Sequence, residues 1–119
     1  MAKSDPKNYG NLITYFEGKY RPWHEAKVHV FSPAMKYGAG VFEGIRGYWS
    51  DNLNKMVLFR LLDHLKRLEY SQRVMRFEKI FSPEETSEPI LEVMRRNSFT
   101  EHVHLRPVVY VDGDGPNGA

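Results

Sequence analysis

The sequence predicts a single domain of the α+β class, an antiparallel sheet with two helices packed on one face. Three observations support this class. Short β-rich runs fill the first half of the chain, two stretches of helical periodicity follow, and a last β-rich run returns toward the sheet. The 119 residues, 41% of them hydrophobic, are enough for one packed core but not for two.

The strand candidates are short runs of β-branched and aromatic residues, at 12–16, 20–23, 27–31, 41–49 and 55–61. Glu17, Gly18 and Lys19 separate the first two runs, which predicts a hairpin. A polar stretch at residues 50–54 joins the last two runs and predicts a second antiparallel pair. These runs together would build the sheet.

The first predicted helix has an apolar stripe opposite Lys66, Arg73 and Arg76. The stripe contains Leu61, Leu65, Leu68, Gln72 and Met75, and it is widened by Leu62 and Val74. Its spacing of three to four residues fits the 3.6-residue helical turn. We therefore expect this side to face the core.

The second predicted helix begins with a capping signal, because Ser82 can accept from free amides, Pro83 suits the first turn and Glu85 completes a capping box. We expect it to run to about Asn97. Its buried side would carry Ile90, Leu91 and Met94. Residues 102–112 are β-rich again and would close the sheet.

Alternation along the strands predicts which side chains share a face. Phe42, Gly44, Arg46 and Tyr48 fall on one face of their run, and the glycine marks a place where a ligand or another backbone comes close. In the closing run, one polar face would carry His104, Arg106 and Tyr110, opposite an apolar face of Val103, Leu105, Val109 and Val111. That polar face is a candidate cleft lining.

Arginine suits the recognition of a carboxylate or phosphate, because its planar guanidinium can donate two parallel hydrogen bonds. Arg46 and Arg106 are therefore candidate anion-binding residues. Each also has an ordinary structural explanation, which spacing alone does not remove: a surface ion pair for the arginines, a half-exposed strand position for His104, and core packing for Tyr37 and Phe42.

Several other functions are disfavoured. The net charge of +2 comes from scattered basic residues, which gives no sign of nucleic-acid binding. No cysteine is present, and the five histidines show no metal-ligand spacing, so no metal site is expected. No apolar run resembles a signal peptide or a membrane span. We expect a soluble, cytoplasmic protein with no membrane partner.

The residues from Ala26 to Val30 and from Tyr37 to Arg46, which read AKVHV and YGAGVFEGIR, resemble the amino-terminal signature of the branched-chain aminotransferases. Three further motifs follow in the family's order, FRL at residues 59–61, HLKRL at 64–68 and LRP at 105–107. The resemblance covers nearly all of the chain from residue 11 to residue 111.

This resemblance implies the small amino-terminal domain of a two-domain, fold-type-IV enzyme, with pyridoxal 5′-phosphate bound between the domains. Residues 1–10 would be an arm, residues 11–111 the domain and residues 112–119 an interdomain tail. The complete protein would be a homo-oligomer, expected as a homodimer, that transfers the amino group of leucine, isoleucine or valine to 2-oxoglutarate. The family's Schiff-base lysine matches no lysine of these 119 residues, so the chain alone is expected to be inactive.

Matched by motif, Arg67 would bind the cofactor phosphate. Phe42 and Gly44 would line the pocket for the substrate side chain. Tyr37 would reach toward the site of the neighbouring subunit. These roles come from the resemblance alone.

The same comparison gives Arg106 the distal carboxylate of glutamate or 2-oxoglutarate, and leaves Arg46 a supporting role. His104 departs from the pattern, since the family commonly has a tyrosine there. An imidazole donates a hydrogen bond as a phenol does, so His104 stays a candidate for binding the substrate carboxylate.

Two alternatives remain open. One is another member of the same fold type, a D-amino-acid aminotransferase or an aminodeoxychorismate-lyase-like protein, although GVFEGIR with a later Arg-Pro favours the branched-chain group. The other is a dimerising fragment without catalysis.

Overall fold

The computed structural model describes residues 10–113, so almost all of the predicted arm and most of the predicted tail lie outside the described residues. Seven strands and three α-helices follow in the order β1 Ile13–Phe16, β2 Lys19–Pro22, α1 Pro33–Tyr37, β3 Gly40–Phe42, β4 Ile45–Ser50, β5 Lys55–Leu58, α2 Leu61–Val74, α3 Pro83–Asn97, β6 Val103–Leu105 and β7 Val108–Tyr110 within that range. A turn of 3₁₀ helix, Trp23–Glu25, follows β2.

The first hairpin is confirmed. β1 and β2 pair antiparallel, and Glu17 and Gly18 form the two-residue turn with φ of 52° and 82°. Positive φ at both positions is the geometry that matches the twist of two antiparallel strands, and glycine adopts it without strain. At the other end of β1, the Asn97 side chain binds both backbone groups of Ile13, at 2.8 Å each.

The predicted strand at residues 27–31 is wrong. Val30 and Phe31 are exposed and pair with no strand in the described part of the chain. The segment instead turns, with the Phe31 amide donating to His29 Nδ1 at 3.0 Å. It leads into α1, a helix the periodicity missed, which starts with Ser32 as its cap and Pro33 in its first turn. β-rich composition makes a strand only where a partner strand is available.

The antiparallel α+β class is confirmed, but the sheet is divided. β3 pairs with β7, and β4 lies between β5 and β6. The two long runs predicted at 41–49 and 102–112 are each interrupted, the first at Glu43 and Gly44, the second at Arg106 and Pro107. Proline has no N–H for a strand ladder, and here the Pro107 carbonyl accepts from the Glu43 amide at 3.1 Å.

Both predicted helices are confirmed. In α2, Leu65, Leu68 and Gln72 are buried as expected. Met75, predicted in the same stripe, is exposed, as are Leu62 and Val74, which were expected to widen it. α2 contacts α3 and β3. α3 has the predicted capping box between Ser82 and Glu85 and ends at Asn97.

The core centres on Ile45 of β4 and on Leu65 and Leu68 of α2. Partly buried neighbours complete it: Val41, Leu61, Ile90, Leu105 and Val109. Through residues 10–113, no helix is both long and apolar enough to cross a membrane. The same residues contain no group of three or more histidine, cysteine, aspartate or glutamate side chains placed to hold a metal ion.

Candidate functional site

Side chains alternate in burial along β3 and β4, even across the break between the strands. Phe42, Gly44, Arg46 and Tyr48 are exposed, and the intervening Glu43, Ile45 and Gly47 are buried. We call the exposed side, together with His104 and Arg106, the outer face, and the buried side the inner face. The predicted sharing of a face by Phe42, Gly44, Arg46 and Tyr48 is confirmed.

Arg106 lies over Phe42 on the outer face. Its guanidinium carbon is 5.0 Å from the centroid of the Phe42 ring, within the range of a cation–π contact. Phe42 is 59% exposed. The pair therefore offers an apolar ring and a cation side by side to a ligand.

His104 belongs to β6 and pairs with Arg46 of β4 across the sheet. Its imidazole ring lies over Gly44. A Cβ atom on Gly44 would come within 3.1 Å of His104 Cε1 and 3.3 Å of Nε2. The absence of a side chain at Gly44 therefore leaves room for the imidazole to rest against the strand. Gly44 and His104 form one continuous piece of surface.

Arg46 extends the outer face toward Tyr48, whose ring centroid is 5.6 Å from the guanidinium carbon. Tyr48 also meets His102 edge to face, at 5.5 Å between ring centroids. Over the residues that the structure describes, neither Arg46, His104 nor Arg106 forms an ion pair with a carboxylate. The surface-ion-pair explanation for the two arginines therefore finds no support among these residues. Both guanidinium groups lie against aromatic rings, which leaves N–H groups as possible hydrogen-bond donors.

A second polar cluster lies on the inner face. The Glu43 side chain is only 5% exposed, and its carboxylate accepts from Arg67 Nε and from Arg67 Nη2, both at 2.8 Å. His64 Nδ1 lies 2.8 Å from Glu43 Oε1 and donates to it, because an ionised carboxylate only accepts. The hydrogen bonds from Arg67 hold the pKa of Glu43 below its ordinary value, with His64 acting in the same direction against the effect of burial.

Arg67 is held on one edge and open on the other. Its side chain is 66% exposed although Glu43 is buried, and Glu43 raises the Arg67 pKa through the same hydrogen bonds. A guanidinium has five N–H groups, of which two are used here. No other polar partner for Arg67 occurs in residues 10–113, so the remaining edge suits a phosphate or carboxylate oxygen.

The structure brings together Phe42, Gly44, Arg46, His104 and Arg106. Tyr37 is the last residue of α1, where it is 73% exposed and the centroid of its ring is 5.2 Å from Lys36 Nζ. In the described chain, no hydrogen bond, ion pair or ring contact links Tyr37 or Arg67 to the outer face. Tyr110, predicted to share a polar face with His104 and Arg106, instead donates to Glu17 at 2.8 Å, because the break at Pro107 separates the two strands.

Sequence reasoning missed Glu43 and His64. A signal was available, because strict alternation places Glu43 between Val41 and Ile45 on the apolar side of the strand. An acidic residue in such a position needs a charged partner, since burying an unpaired carboxylate is costly. His64 and Arg67, three residues apart on one helix, supply that partner.

No family model matches the chain, but individual proteins do. The branched-chain-amino-acid aminotransferase of Salmonella typhimurium is 41% identical over 101 residues, which are 85% of this chain and 32% of the relative. A branched-chain aminotransferase from Thermoproteus uzoniensis, solved with norvaline, is 40% identical with a TM-score of 0.76, and the match covers 83% of this chain and 33% of that one.

The branched-chain aminotransferase of Thermobaculum terrenum, solved in its pyridoxal-phosphate form, is 33% identical with a TM-score of 0.76 over 86% of this chain and 33% of that one. The chain thus spans about a third of the length of the relatives that it matches. Identity and fold agree over the same stretch. The chain belongs to the branched-chain aminotransferase family and corresponds to the small amino-terminal domain of these enzymes.

Proposed function

We propose that residues 11–111 form the substrate-facing small domain of a pyridoxal-phosphate-dependent branched-chain aminotransferase. The complete protein transfers the amino group of leucine, isoleucine or valine to 2-oxoglutarate. One observation carries the proposal: an aromatic ring, a glycine and basic side chains lie side by side on the outer face. That surface offers apolar contact for leucine, isoleucine and valine. It also offers recognition of a second carboxylate for 2-oxoglutarate.

Each part of the outer face has a distinct role in this proposal. Phe42 and the surface at Gly44, where the His104 ring also lies, receive the apolar side chain of the substrate. Arg106 binds the distal carboxylate of glutamate or 2-oxoglutarate, and His104 donates to a substrate carboxylate. Arg46 stacks beside Tyr48 and supports the wall of the pocket without touching substrate.

Arg67 is the residue of this chain that would hold the cofactor, through the cofactor's phosphate. Its outward edge fits that group, because it combines a fixed guanidinium plane with an exposed position. When bound, pyridoxal phosphate supplies an electron-accepting ring that stabilises negative charge at the substrate Cα. The likeness to the pyridoxal-phosphate form of the Thermobaculum enzyme supports this assignment.

The remaining parts of the proposal concern the whole assembly. No lysine of these 119 residues matches the family's Schiff-base lysine motif, so the chain alone does not catalyse transamination. The protein is a cytoplasmic homo-oligomer. Tyr37 reaches toward the site of a neighbouring subunit, which is consistent with its exposure at the end of α1.

The substitution Arg106→Ala tests the function in the full translation product that contains this chain. Loss of a charge-assisted contact to the second carboxylate costs about 1.5–3 kcal/mol, so the half-reaction with glutamate should slow about tenfold or more in kcat/KM. The half-reaction with leucine should change much less, because leucine has no second carboxylate. Single-turnover absorbance of the cofactor with each amino acid measures both rates.

Arg73→Ala is a suitable control, since Arg73 is an exposed residue of α2 that pairs only with Glu69 in the described structure. It should leave the ratio of the two half-reactions unchanged. Equal slowing of both half-reactions by Arg106→Ala would contradict carboxylate recognition. Turnover of D-alanine in preference to L-leucine would favour the D-amino-acid aminotransferase alternative.

A further inference from the structure

The contact between Glu43 and Arg67 joins a buried anion to an exposed cation. Glu43 is 5% exposed and Arg67 is 66% exposed. Three hydrogen bonds of 2.8 Å reach the carboxylate, two from Arg67 and one from His64. The backbone of Glu43 is tied as well, since its amide donates to the Pro107 carbonyl. Glu43 is therefore a fixed point in the structure.

A fixed carboxylate determines where the guanidinium lies. Two parallel hydrogen bonds, from Nε and Nη2, set both the plane and the direction of the Arg67 head group. A long arginine side chain otherwise samples many rotamers, and this freedom is lost when it binds an anion. With Glu43 in place, much of that ordering has already occurred in the free protein.

We propose that Glu43 is a positioning residue for Arg67, presetting its outward edge for one oxyanion, with His64 holding the carboxylate in place. This inference rests on the proposed function, in which that oxyanion is the phosphate of pyridoxal phosphate. Glu43 touches neither the phosphate nor the substrate. It acts only through Arg67.

The sign of one measurement separates positioning from simple charge. A negative charge at Glu43 by itself repels a phosphate, so its removal would strengthen phosphate binding if charge alone mattered. If Glu43 positions Arg67, its neutralisation leaves Arg67 free to rotate and weakens phosphate binding. Weaker phosphate binding after neutralisation of Glu43 is therefore a result that charge alone does not give.

The experiment measures the affinities for pyridoxal phosphate and for pyridoxal in the full translation product that contains this chain. Their ratio isolates the contribution of the phosphate group. In Glu43→Gln, whose side chain has nearly the same shape, this ratio should fall about tenfold, a typical effect of removing a group that orients a ligand-binding side chain. An unchanged or increased ratio would overturn the proposal.

Glu43→Asp provides an independent test if Glu43→Gln does not fold. It keeps the charge but draws the carboxylate back by one methylene, so the ratio should again fall, and an unchanged ratio counts against positioning. As a second readout, nitrogen-15 NMR should show a slowly exchanging Arg67 Nε–H in the wild type and faster exchange in both variants. Equal exchange rates would also overturn the proposal.

Two further variants distinguish the possible failures. Glu92→Gln removes a partly exposed carboxylate that also pairs with arginine, Arg96, and should leave the ratio unchanged. Arg67→Ala should reduce the ratio strongly. If it does not, the phosphate role of Arg67 is wrong, whereas a loss in Arg67→Ala without one in Glu43→Gln contradicts only the positioning inference.

Discussion

The inner and outer faces of the β3–β4 segment differ sharply although they alternate along the same few residues. Ile45 and Gly47 of the inner face are packed into the protein, and Glu43 is buried with its charged partners. On the outer face, Phe42 is exposed, and Arg46 has no carboxylate partner among residues 10–113.

The two faces are therefore subject to different requirements, folding for the inner face and ligand binding for the outer face. The inner face satisfies each of its groups within the domain, as folding requires. The outer face leaves an aromatic ring and two arginines open, as ligand binding requires. Substitutions of Ile45 and Gly47 on the inner face should therefore change stability, and those on the outer face should change binding.

The largest contrast is expected between Ile45→Ala and Phe42→Ala. Ile45 is 0% exposed, so its truncation leaves a cavity and should lower the free energy of unfolding by about 2–5 kcal/mol. Phe42 loses only a surface contact with Arg106, and its truncation should cost less than about 1 kcal/mol. Urea denaturation of the chain measures both, and similar shifts in midpoint would contradict the difference in burial between the two faces.

A smaller contrast is expected between two glycines. A Cβ atom on Gly47 would lie 2.7 Å from Val103 Cγ2, 3.1 Å from Met56 Sδ and 3.2 Å from Leu58 Cδ2. Gly47→Ala should therefore cost about 1–3 kcal/mol of unfolding free energy through overpacking.

Gly44→Ala is the matched control on the outer face. Its Cβ meets only the His104 ring, which is exposed and able to rotate, so the stability change should stay within about 0.5 kcal/mol. The NMR signals of the His104 ring should move instead. A greater loss of stability in Gly44→Ala than in Gly47→Ala would reverse the assignment of the two faces.

The smallest effect concerns acid. Because Arg67 lowers the pKa of Glu43 in the folded state, the stabilisation is fully present above the ordinary glutamate pKa of about 4.3 and is lost as pH falls through the folded-state pKa.

The unfolding free energies of wild type and Glu43→Gln, measured from about pH 7 down to about pH 3, should therefore converge toward low pH. Glu92→Gln serves as the comparison on the surface of α3 and should show a weaker convergence, because solvent screens its ion pairs. Parallel profiles for wild type and Glu43→Gln would contradict the stabilising role of the buried carboxylate.

Local signals in the sequence predicted local structure well. The capping box at Ser82 and Glu85 and the turn at Gly18 are both present as expected, because each depends only on residues close in the chain. The strand predicted at 27–31 failed, since a strand also needs a distant partner. The short helix α1 was missed for lack of a periodic pattern, although its Ser-Pro start repeats the signal that opens α3.

Part of the site could also be predicted from the sequence. Alternation placed Phe42, Gly44 and Arg46 on one face, and the structure agrees. The stacking of Arg106 on Phe42 was not predictable, because it depends on how β6 and β7 meet at Pro107. The family roles of these residues remain predictions, to be decided by the half-reaction and cofactor-affinity measurements.

The attachment of the first hairpin has a consequence for the order of events during synthesis. Ile13 is bound by Asn97, 84 residues later, and Glu17 by Tyr110, 93 residues later. During synthesis, the hairpin cannot form these contacts until α3 and β7 have also been made. At a translation rate of about 5–20 residues per second, that interval lasts on the order of ten seconds. Within this chain, the two strands of the hairpin are made before the residues that secure them, and until then they are held by their own pairing and turn.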